Sequence, residues 1–322
     1  MKKITVLGGG TGTFVVLSCL KKYPLDLGVI VTMMDSGGST GRLRDQLGVL
    51  PPGDLRQCLV ALSEAPILWR KLFLYRFESG DLAGHNFGNV FLSALEKVSK
   101  NYQEVIESAS FVLKIKGQVI PVTFNKTNMC VKYKNGNVVK GEGNIDKNYQ
   151  EKSKIVRATL EPQVEANPQA LKRIFNSDYI IIGPGDIYTS IIPVLLVRGI
   201  KKALQESKAK IIYILNLMTK SGQTTGYKAS DHLQDIVTYL GRTPNYIVAN
   251  NGKIPVNILK WYLQHEENVV ENDLTDKKIK IIIGDFIEKN GFTKTKSDVL
   301  FRSILRHDQK KLAEALVKII LC

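Results

Sequence analysis

The sequence predicts an α/β fold built on a mainly parallel sheet, with a small antiparallel β insertion. Two β-rich runs near the N-terminus, residues 4–7 and 28–34, each stop in small residues and lead into a predicted helix. The order strand, loop, helix, strand is a βαβ unit, whose two strands lie parallel. Later β-branched runs alternate with helical patterns in the same way and extend the sheet. Residues 117–161 break this alternation.

The composition describes a basic, globular chain. It has 322 residues, of which 44% are hydrophobic, and a formal net charge of +15. This charge favours nucleic acid, anionic lipid or phosphorylated metabolites as partners, although lysines spread over solvated helix faces give the same total. The cations come in pairs or short clusters and no nucleic-acid motif is present, so we expect no nucleic-acid partner.

Cysteine usage and hydropathy favour a soluble, cytoplasmic protein. The four cysteines are scattered without a C-x-x-C pair, which is typical of a reducing compartment. The four histidines show no metal spacing, and we predict no metal site from them. The N-terminus lacks the apolar core of a signal peptide. No apolar run approaches the roughly 20 residues that span a bilayer, so we expect no membrane segment.

Each of the two N-terminal strands ends in a loop rich in small residues. The loops contain Gly9, Gly10, Thr11, Gly12 and Thr13 after the first strand, and Asp35, Ser36, Gly37, Gly38, Ser39 and Arg42 after the second. Glycine lets successive backbone N–H groups converge on an anion, and the helix behind each loop adds partial positive charge. Two such loops in succession predict one pocket for a phosphorylated ligand.

Two acids near these loops have alternative roles. Asp35 ends the second strand, where related folds place an acid on a ribose, and it is equally suited to cap a helix. Asp54 can cap the helix that follows Pro51-Pro52-Gly53, or it can lie with Arg56 beside the phosphate loops. The first loop is not a full dinucleotide fingerprint, because Thr13 stands where the third glycine would be.

Apolar periodicity predicts the helices of the N-terminal half. They cover residues 14–24, 54–64, 67–77 and 90–99, with a further helix and strand in 104–115. Asn86 and Asn89 precede the helix at residue 90, where they can cap the helix or offer amides to a ligand. Nearby His85 suits a structural role better than a catalytic one.

Residues 117–161 form the predicted antiparallel insertion within a single domain of residues 1–322. Short β-rich runs, including 129–133 and 155–161, flank the tight-turn dipeptide Asn135-Gly136. We expect this insertion to shape the pocket or an oligomer contact.

The C-terminal half returns to alternating strands and helices. The predicted strands are 179–182, 210–215, 246–249 and 280–283, and the predicted helices are 168–176, 191–205, 229–240, 254–264 and a final helix from Asp308, its cap, to Leu321. The strand 179–182 ends in a third glycine turn, at the end of the strand where open α/β sheets bind ligands. Candidate ligand residues here are Gly183, Gly185, Tyr188, Thr189 and Ser190, followed by Asn216 after the next strand.

Six motifs in this order closely resemble those of the bacterial gluconeogenesis factor family, relatives of 2-phospho-L-lactate transferase in the CofD-like superfamily. They are the first glycine loop, residues 35–44, residues 51–54, residues 84–89, residues 183–190 and residues 216–219. The resemblance runs from Lys3 to Asp308 and implies a Rossmann-like three-layer α/β/α core. It also implies a cytoplasmic protein needed for normal cell shape and wall synthesis on gluconeogenic carbon sources.

The resemblance further implies a ligand and its contacts. The ligand is a UDP-sugar such as UDP-N-acetylglucosamine, with NAD as an alternative occupant, while the transferase branch uses a guanosine diphosphate carrier and magnesium. By position, the resemblance implies that residues 9–13 hold phosphates and that residues 35–39 and Arg42 form the adjacent wall. It also implies that Asn86 and residues 183–190 close the cleft and that Arg306 is a C-terminal basic contact. This chain has Ser36 where relatives often have a second acid, and Asp186 where many have serine.

Three functions are therefore compared. A non-enzymatic nucleotide-sugar sensor is favoured, because the sequence lacks an obvious nucleophile–base pair and a strong metal set. A transferase would use Asp35 and Asp54 as catalytic carboxylates that hold magnesium, with Arg42 or Arg56 on the leaving phosphate. Nucleic-acid binding rests on net charge alone and predicts an affinity that falls steeply with salt.

Overall fold

A computed structural model describes residues 1–288 and 303–321 of the chain. Within these residues the strands are β1 (Lys2–Gly8), β2 (Leu25–Val31), β3 (Gln118–Pro121), β4 (Asn128–Tyr133), β5 (Val138–Lys140), β6 (Ile155–Glu161), β7 (Tyr179–Ile182), β8 (Lys210–Ile214), β9 (Tyr246–Asn250) and β10 (Lys280–Gly284). The helices are α1 (Thr11–Leu20), α2 (Gly38–Leu47), α3 (Gly53–Leu62), α4 (Ile67–Leu74), α5 (Phe87–Val98), α6 (Tyr102–Leu113), α7 (Glu142–Lys147), α8 (Pro168–Phe175), α9 (Ile192–Leu196), α10 (Ile200–Glu206), α11 (Ala229–Leu240), α12 (Val256–Gln264) and α13 (Gln309–Leu321).

Seven strands form one parallel sheet in the order β10-β9-β8-β7-β1-β2-β3. The chain moves outward from β1 to β3, returns to β7 on the other side of β1, and then continues outward to β10. The order of strands therefore reverses between β1 and β7, which is where open parallel sheets bind ligands. Helices flank this sheet, and the predicted α/β fold class is confirmed.

The sheet is stabilised by β-branched residues that are buried on both faces. All four residues of β7 are buried, and Val6 of β1 lies in register with Val29 of β2 and Ile181 of β7. Strands covered on both faces by helices read as continuous apolar runs for this reason. On the first βαβ unit, α1 packs against α3 and α13.

The predicted insertion 117–161 starts too early. Residues Gln118–Pro121 are β3, the edge strand of the main sheet, where Val119 pairs with Val29 in parallel. The separate antiparallel sheet has the order β5-β4-β6 and begins at Asn128. The turn at Asn135-Gly136 is confirmed, since Gly136 N–H donates to the Tyr133 carbonyl at 3.0 Å. A four-residue run such as β3 contains no periodicity that reveals its partner strand.

The predicted helix 191–205 is also corrected. The structure has a π-helical turn over Ile187–Ile191, then α9, and then a break before α10. Gly199 lies in this break with φ +95°, a backbone conformation that ends a right-handed helix. The break turns the chain without interrupting its apolar pattern, so periodicity alone joins the two helices.

Two other local predictions are confirmed, whereas the strand predicted with the helix in 104–115 is wrong, because α6 occupies Tyr102–Leu113 and only an isolated bridge at Ile115 follows. Helix α11 has the predicted bounds, and Asp308 accepts a hydrogen bond from Lys311 N–H at 2.9 Å at the start of α13. Cys19, Cys58 and Cys130 are free and buried, while Cys322 lies outside the described residues. Among the described residues, no helix is long and apolar enough to cross a membrane.

Candidate functional site

A cleft of about 340 Å³ opens at the carboxyl ends of the strands, at the reversal between β1 and β7. On one side, the loop after β1 leads through Gly10 into α1. On the other side, the loop after β7 leads through Gly185 into the π-helical turn. Both predicted glycine turns therefore meet in one cleft, as the order of the strands requires.

Close contacts explain two of the glycines, with the Pro184 backbone at Gly12 and the Asp54 side chain at Gly10. A Cβ on Gly12 would overlap the carbonyl oxygen of Pro184, so the two loops touch only because Gly12 has no side chain. A Cβ on Gly10 would lie 2.5 Å from Asp54 Oδ1. The N-terminus of α1 is thereby left accessible from the cleft, and its first-turn N–H groups have no intrahelical acceptors.

Asp35 and Asp54 both line the cleft, and neither is a helix N-cap. Helix α2 begins at Gly38 with Gly37 at the N-cap, and Asp35 Oδ1 accepts a hydrogen bond from Gly37 N–H at 2.9 Å. Helix α3 begins at Gly53, so Asp54 lies within its first turn. The capping alternative is wrong at both positions, although Asp35 stabilises the turn before α2.

Arg56 is a buried cation at the cleft. Its guanidinium donates from Nε to Asn89 Oδ1 at 2.8 Å and from Nη1 to the Phe73 carbonyl at 3.2 Å. Asn89 in turn donates to Ser39 Oγ at 3.3 Å. This network fixes the direction of the guanidinium and connects α3, α5 and α2 beside the first glycine loop.

Helix α7 of the antiparallel insertion adds two acids that sequence reasoning missed. Glu142 and Asp146 are four residues apart and both line the cleft. Glu142 accepts a hydrogen bond from Ser36 N–H at 3.1 Å, which ties the insertion to the loop after β2. Burial, followed by the charges of Asp35 and Asp146, raises the pKa of Glu142 well above its ordinary value.

The pKa of Asp146 is raised from 3.8 to about 6, first by burial and then by Asp186. Lys220 and the hydrogen bond from Gln223 Nε2, at 2.7 Å, oppose this rise. One α7 carboxyl therefore titrates close to neutral pH at the edge of the cleft.

Lys220 is a second cation at the cleft, largely buried after strand β8, that sequence reasoning missed. Its Nζ lies 3.4 Å from Glu267 Oε1. Burial lowers the pKa of Lys220, but the charges of Asp186, Glu267 and Asp146 outweigh burial and raise it above the ordinary value. Asp186, an acid in an unfavourable position for a phosphate site, thus has a cationic neighbour in the folded protein.

Most of the predicted ligand residues converge on the cleft. Those that line it are Gly10, Thr11, Gly12, Asp35, Gly37, Ser39, Asp54, Arg56, Gly185, Thr189, Ser190, Asn216 and Arg306. Those that do not are Gly9, Thr13, Ser36, Gly38, Arg42, Asn86, Gly183 and Tyr188.

Three of these displaced residues have clear structural roles. Asn86 Oδ1 caps α5 by accepting from Asn89 N–H at 3.3 Å, and its Nδ2 donates to the Tyr75 carbonyl at 2.9 Å. Tyr188 donates its hydroxyl proton to Asp235 at 2.7 Å, below the cleft. Arg42 extends to the Ala83 carbonyl at 3.0 Å. The capping alternative for Asn86 is the one that the structure supports.

Further residues line the cleft without having been singled out as ligand contacts. They include Thr40, Gln57, Arg76, Glu142, Asp146, Lys147, Thr219, Lys220 and Glu267. Glu142 and Asp146 share the i, i+4 spacing, which places both on one helix face. This spacing is visible in the sequence, but it does not predict which part of the protein the acidic face of α7 contacts.

The whole chain is similar to proteins of known family. The family model described as 2-phospho-L-lactate transferase CofD matches residues 4–287. A putative gluconeogenesis factor of Thermoanaerobacterium thermosulfurigenes is 40% identical over 98% of this chain and 96% of its own length. The gluconeogenesis factor of Bacillus subtilis is 37% identical over 99% and 98%. A crystal structure of a UPF0052 family member from Bacillus halodurans has a TM-score of 0.88 at 36% identity, covering 98% of both chains.

Proposed function

Because this chain belongs to the gluconeogenesis factor family and contains a CofD-like domain, we propose that its cleft binds a UDP-sugar such as UDP-N-acetylglucosamine. Its role is that of a regulator of cell shape and wall synthesis during gluconeogenic growth. The observation that supports this most directly is the convergence of two glycine turns and the buried Arg56 on one cleft. That combination suits a diphosphate, which nucleotide sugars and dinucleotides such as NAD share.

The two sides of the cleft suit different parts of such a ligand. The N-terminus of α1 and Arg56 offer N–H donors and positive charge, which favour the diphosphate. Helix α7 and the Lys220–Glu267 pair offer carboxylates and an ammonium group, which hydrogen-bond sugar hydroxyls well. The proposed orientation places the phosphates at the glycine loops and the sugar toward the insertion.

A magnesium-dependent transferase is the second candidate, and the charge of the cleft supports it. Six acids (Asp35, Asp54, Glu142, Asp146, Asp186 and Glu267) and five cations (Arg56, Arg76, Lys147, Lys220 and Arg306) line the cleft. An anionic ligand among so many carboxylates is favoured by a bound cation or proton. Within residues 1–288 and 303–321, no group of three or more acids, histidines or cysteines is arranged to hold a metal ion.

The residues of the cleft still fit a magnesium ion that is held only in part by the protein. Asp35 and Asp54 would supply one or two carboxylate ligands, and the phosphates of the bound nucleotide and water would supply the rest, as is usual for Mg²⁺. When bound, the ion would neutralise the leaving phosphate. Arg56 would orient that phosphate with its guanidinium.

Calorimetric titration distinguishes the two candidates. UDP-N-acetylglucosamine, UDP-glucose, NAD and GDP are each titrated with and without magnesium into the full chain and into Gly10→Val. Gly10 has φ −78°, so valine fits the backbone, and its side chain would displace the ends of Asp54 and Gln57 in the cleft. Gly136→Asn, in the open hairpin turn between β4 and β5, controls for the loss of a glycine.

Micromolar binding of a UDP-sugar without magnesium, lost in Gly10→Val and kept in Gly136→Asn, is the result expected for the regulator. Binding of GDP alone, and only with magnesium, would instead favour the transferase. No binding of any of the four ligands would contradict a shared diphosphate cleft.

A further inference from the structure

Helix α4 exposes apolar side chains on the face that points away from the core. Phe73 is buried, whereas Ile67 and Leu68 are 63% and 76% exposed. A surface helix normally presents polar residues to water on its outer face. The outer face of α4 therefore has the composition of a surface that is covered by something else.

The end of helix α6 extends this apolar surface. Glu64 N–H donates to the Lys114 carbonyl at 3.0 Å and Lys116 N–H donates to the Leu62 carbonyl at 2.9 Å, so the end of α6 lies beside the start of α4. Phe111, 86% exposed, lines an open groove there together with Trp69. We call Ile67, Leu68, Trp69 and Phe111 the α4–α6 patch.

Cations lie near the α4–α6 patch. They are Lys21, Lys22, Arg70, Lys71, Lys114 and Lys116, named here the cationic rim. Lys21 Nζ donates to the Ser63 carbonyl at 2.8 Å, which places the start of the rim against the segment before α4. Burial lowers the pKa of Lys21, and the charges of Arg70, Lys116 and Lys22 lower it further, so these three cations lie near Lys21. Within the rim, Glu64 pairs with Lys116 at 3.8 Å.

We propose that the α4–α6 patch and its cationic rim dock this protein on an anionic lipid bilayer. Aromatic and aliphatic side chains enter the boundary between headgroups and acyl chains, while lysine and arginine bind the anionic headgroups. The net charge of +15 adds a long-range attraction to such a surface.

The same observations disfavour two other occupants. A second copy of the chain would place one cationic rim against another, because a two-fold interface brings the same surface of both subunits together. A peptide bound in the groove requires recessed apolar pockets for its own side chains. Leu68 and Phe111 instead project into solvent, as side chains that insert into a membrane do.

Sedimentation with vesicles tests this proposal on the full chain. Vesicles of phosphatidylcholine alone are compared with vesicles of equal parts phosphatidylcholine and phosphatidylglycerol. We expect binding to the anionic vesicles only. Lys114→Glu should weaken it by at least about fivefold, the effect of one surface cation on membrane partitioning. The double variant L68S and F111S should weaken it further.

Matched variants separate local docking from general effects. Lys202→Glu makes the same change in net charge at a lysine that is 79% exposed on α10. Phe175→Ser removes a half-exposed phenylalanine at the end of α8. Both should bind anionic vesicles like the unaltered chain, and circular dichroism checks that every variant is folded.

Three results would overturn the proposal. They are absence of binding to both kinds of vesicle, equal weakening by Lys202→Glu and Lys114→Glu, and a dimer in solution that L68S and F111S abolish. None of these bears on nucleotide binding in the cleft, so the two proposals succeed or fail separately.

Discussion

Replacing Asp146 by asparagine should stabilise the protein, and more so at higher pH. The pKa of Asp146 rises from 3.8 in an ordinary setting to about 6 in the fold. Between these two values the folded state binds more protons than the unfolded state, so stability falls as pH increases through that window. At about 1.36 kcal/mol per pH unit, the cost above pH 6 is about 3 kcal/mol. Solvent access to the cleft reduces this to about 2 kcal/mol.

Asparagine keeps the shape of the side chain and can still accept the hydrogen bond from Gln223 Nε2. We therefore expect the unfolding free energy of Asp146→Asn to exceed that of the unaltered chain by about 2 kcal/mol near pH 8. The difference should disappear below about pH 3, where the carboxyl is protonated in both states.

Urea denaturation of both proteins, at several pH values between these limits, measures the difference. Burial lowers the pKa values of His232 and His307 to about 4 in both proteins. Their contribution therefore cancels when the unfolding free energy of one protein is subtracted from that of the other at each pH. Asp45→Asn, at an acid that is 69% exposed, should show no such trend. A difference that does not change with pH, or a variant less stable near pH 8, would refute the electrostatic account of α7.

Two further substitutions test the cleft. Asn86→Ala should cost about 1 kcal/mol of unfolding free energy through loss of the α5 cap but leave nucleotide affinity unchanged. A large loss of affinity in calorimetry would show that Asn86 contacts the ligand after all. Arg56→Lys removes the Nε donor to Asn89 and the planar guanidinium, and it should weaken diphosphate binding about tenfold. Arg42→Lys, at an exposed arginine that does not line the cleft, is the matched control, and equal weakening by both variants would contradict the role of Arg56.

Much of the fold was predictable because the signals are local. The apolar run Tyr179–Ile182 and the helix Ala229–Leu240 lie where β-branched content and 3.6-residue periodicity place them. The glycine turns were predictable for the same reason, since Gly12 and Gly185 interrupt patterns that are otherwise regular. The rule that ligands bind at the ends of parallel strands then placed both turns at one site.

The features that the sequence did not predict depend on how segments distant in the chain pack together. Strand β3 was misplaced because four residues do not specify the strand with which they pair. Asn86 and Asn89 are equally polar in sequence, yet only Asn89 faces the cleft, since Asn86 is turned back to cap α5.

By itself, the sequence determined most of the strands and helices, the positions of the glycine turns and their convergence on one proposed site. Tertiary structure alone decided that α7 and Lys220 complete that site, and that Asp186 has a cationic neighbour. The physical reason is that a hydrogen-bonded strand or an amphipathic helix is specified by neighbouring residues, whereas a charge is perturbed by whatever lies within a few ångströms in space. Asp146 and Lys220 are 74 residues apart in the sequence, and only folding brings their charges together.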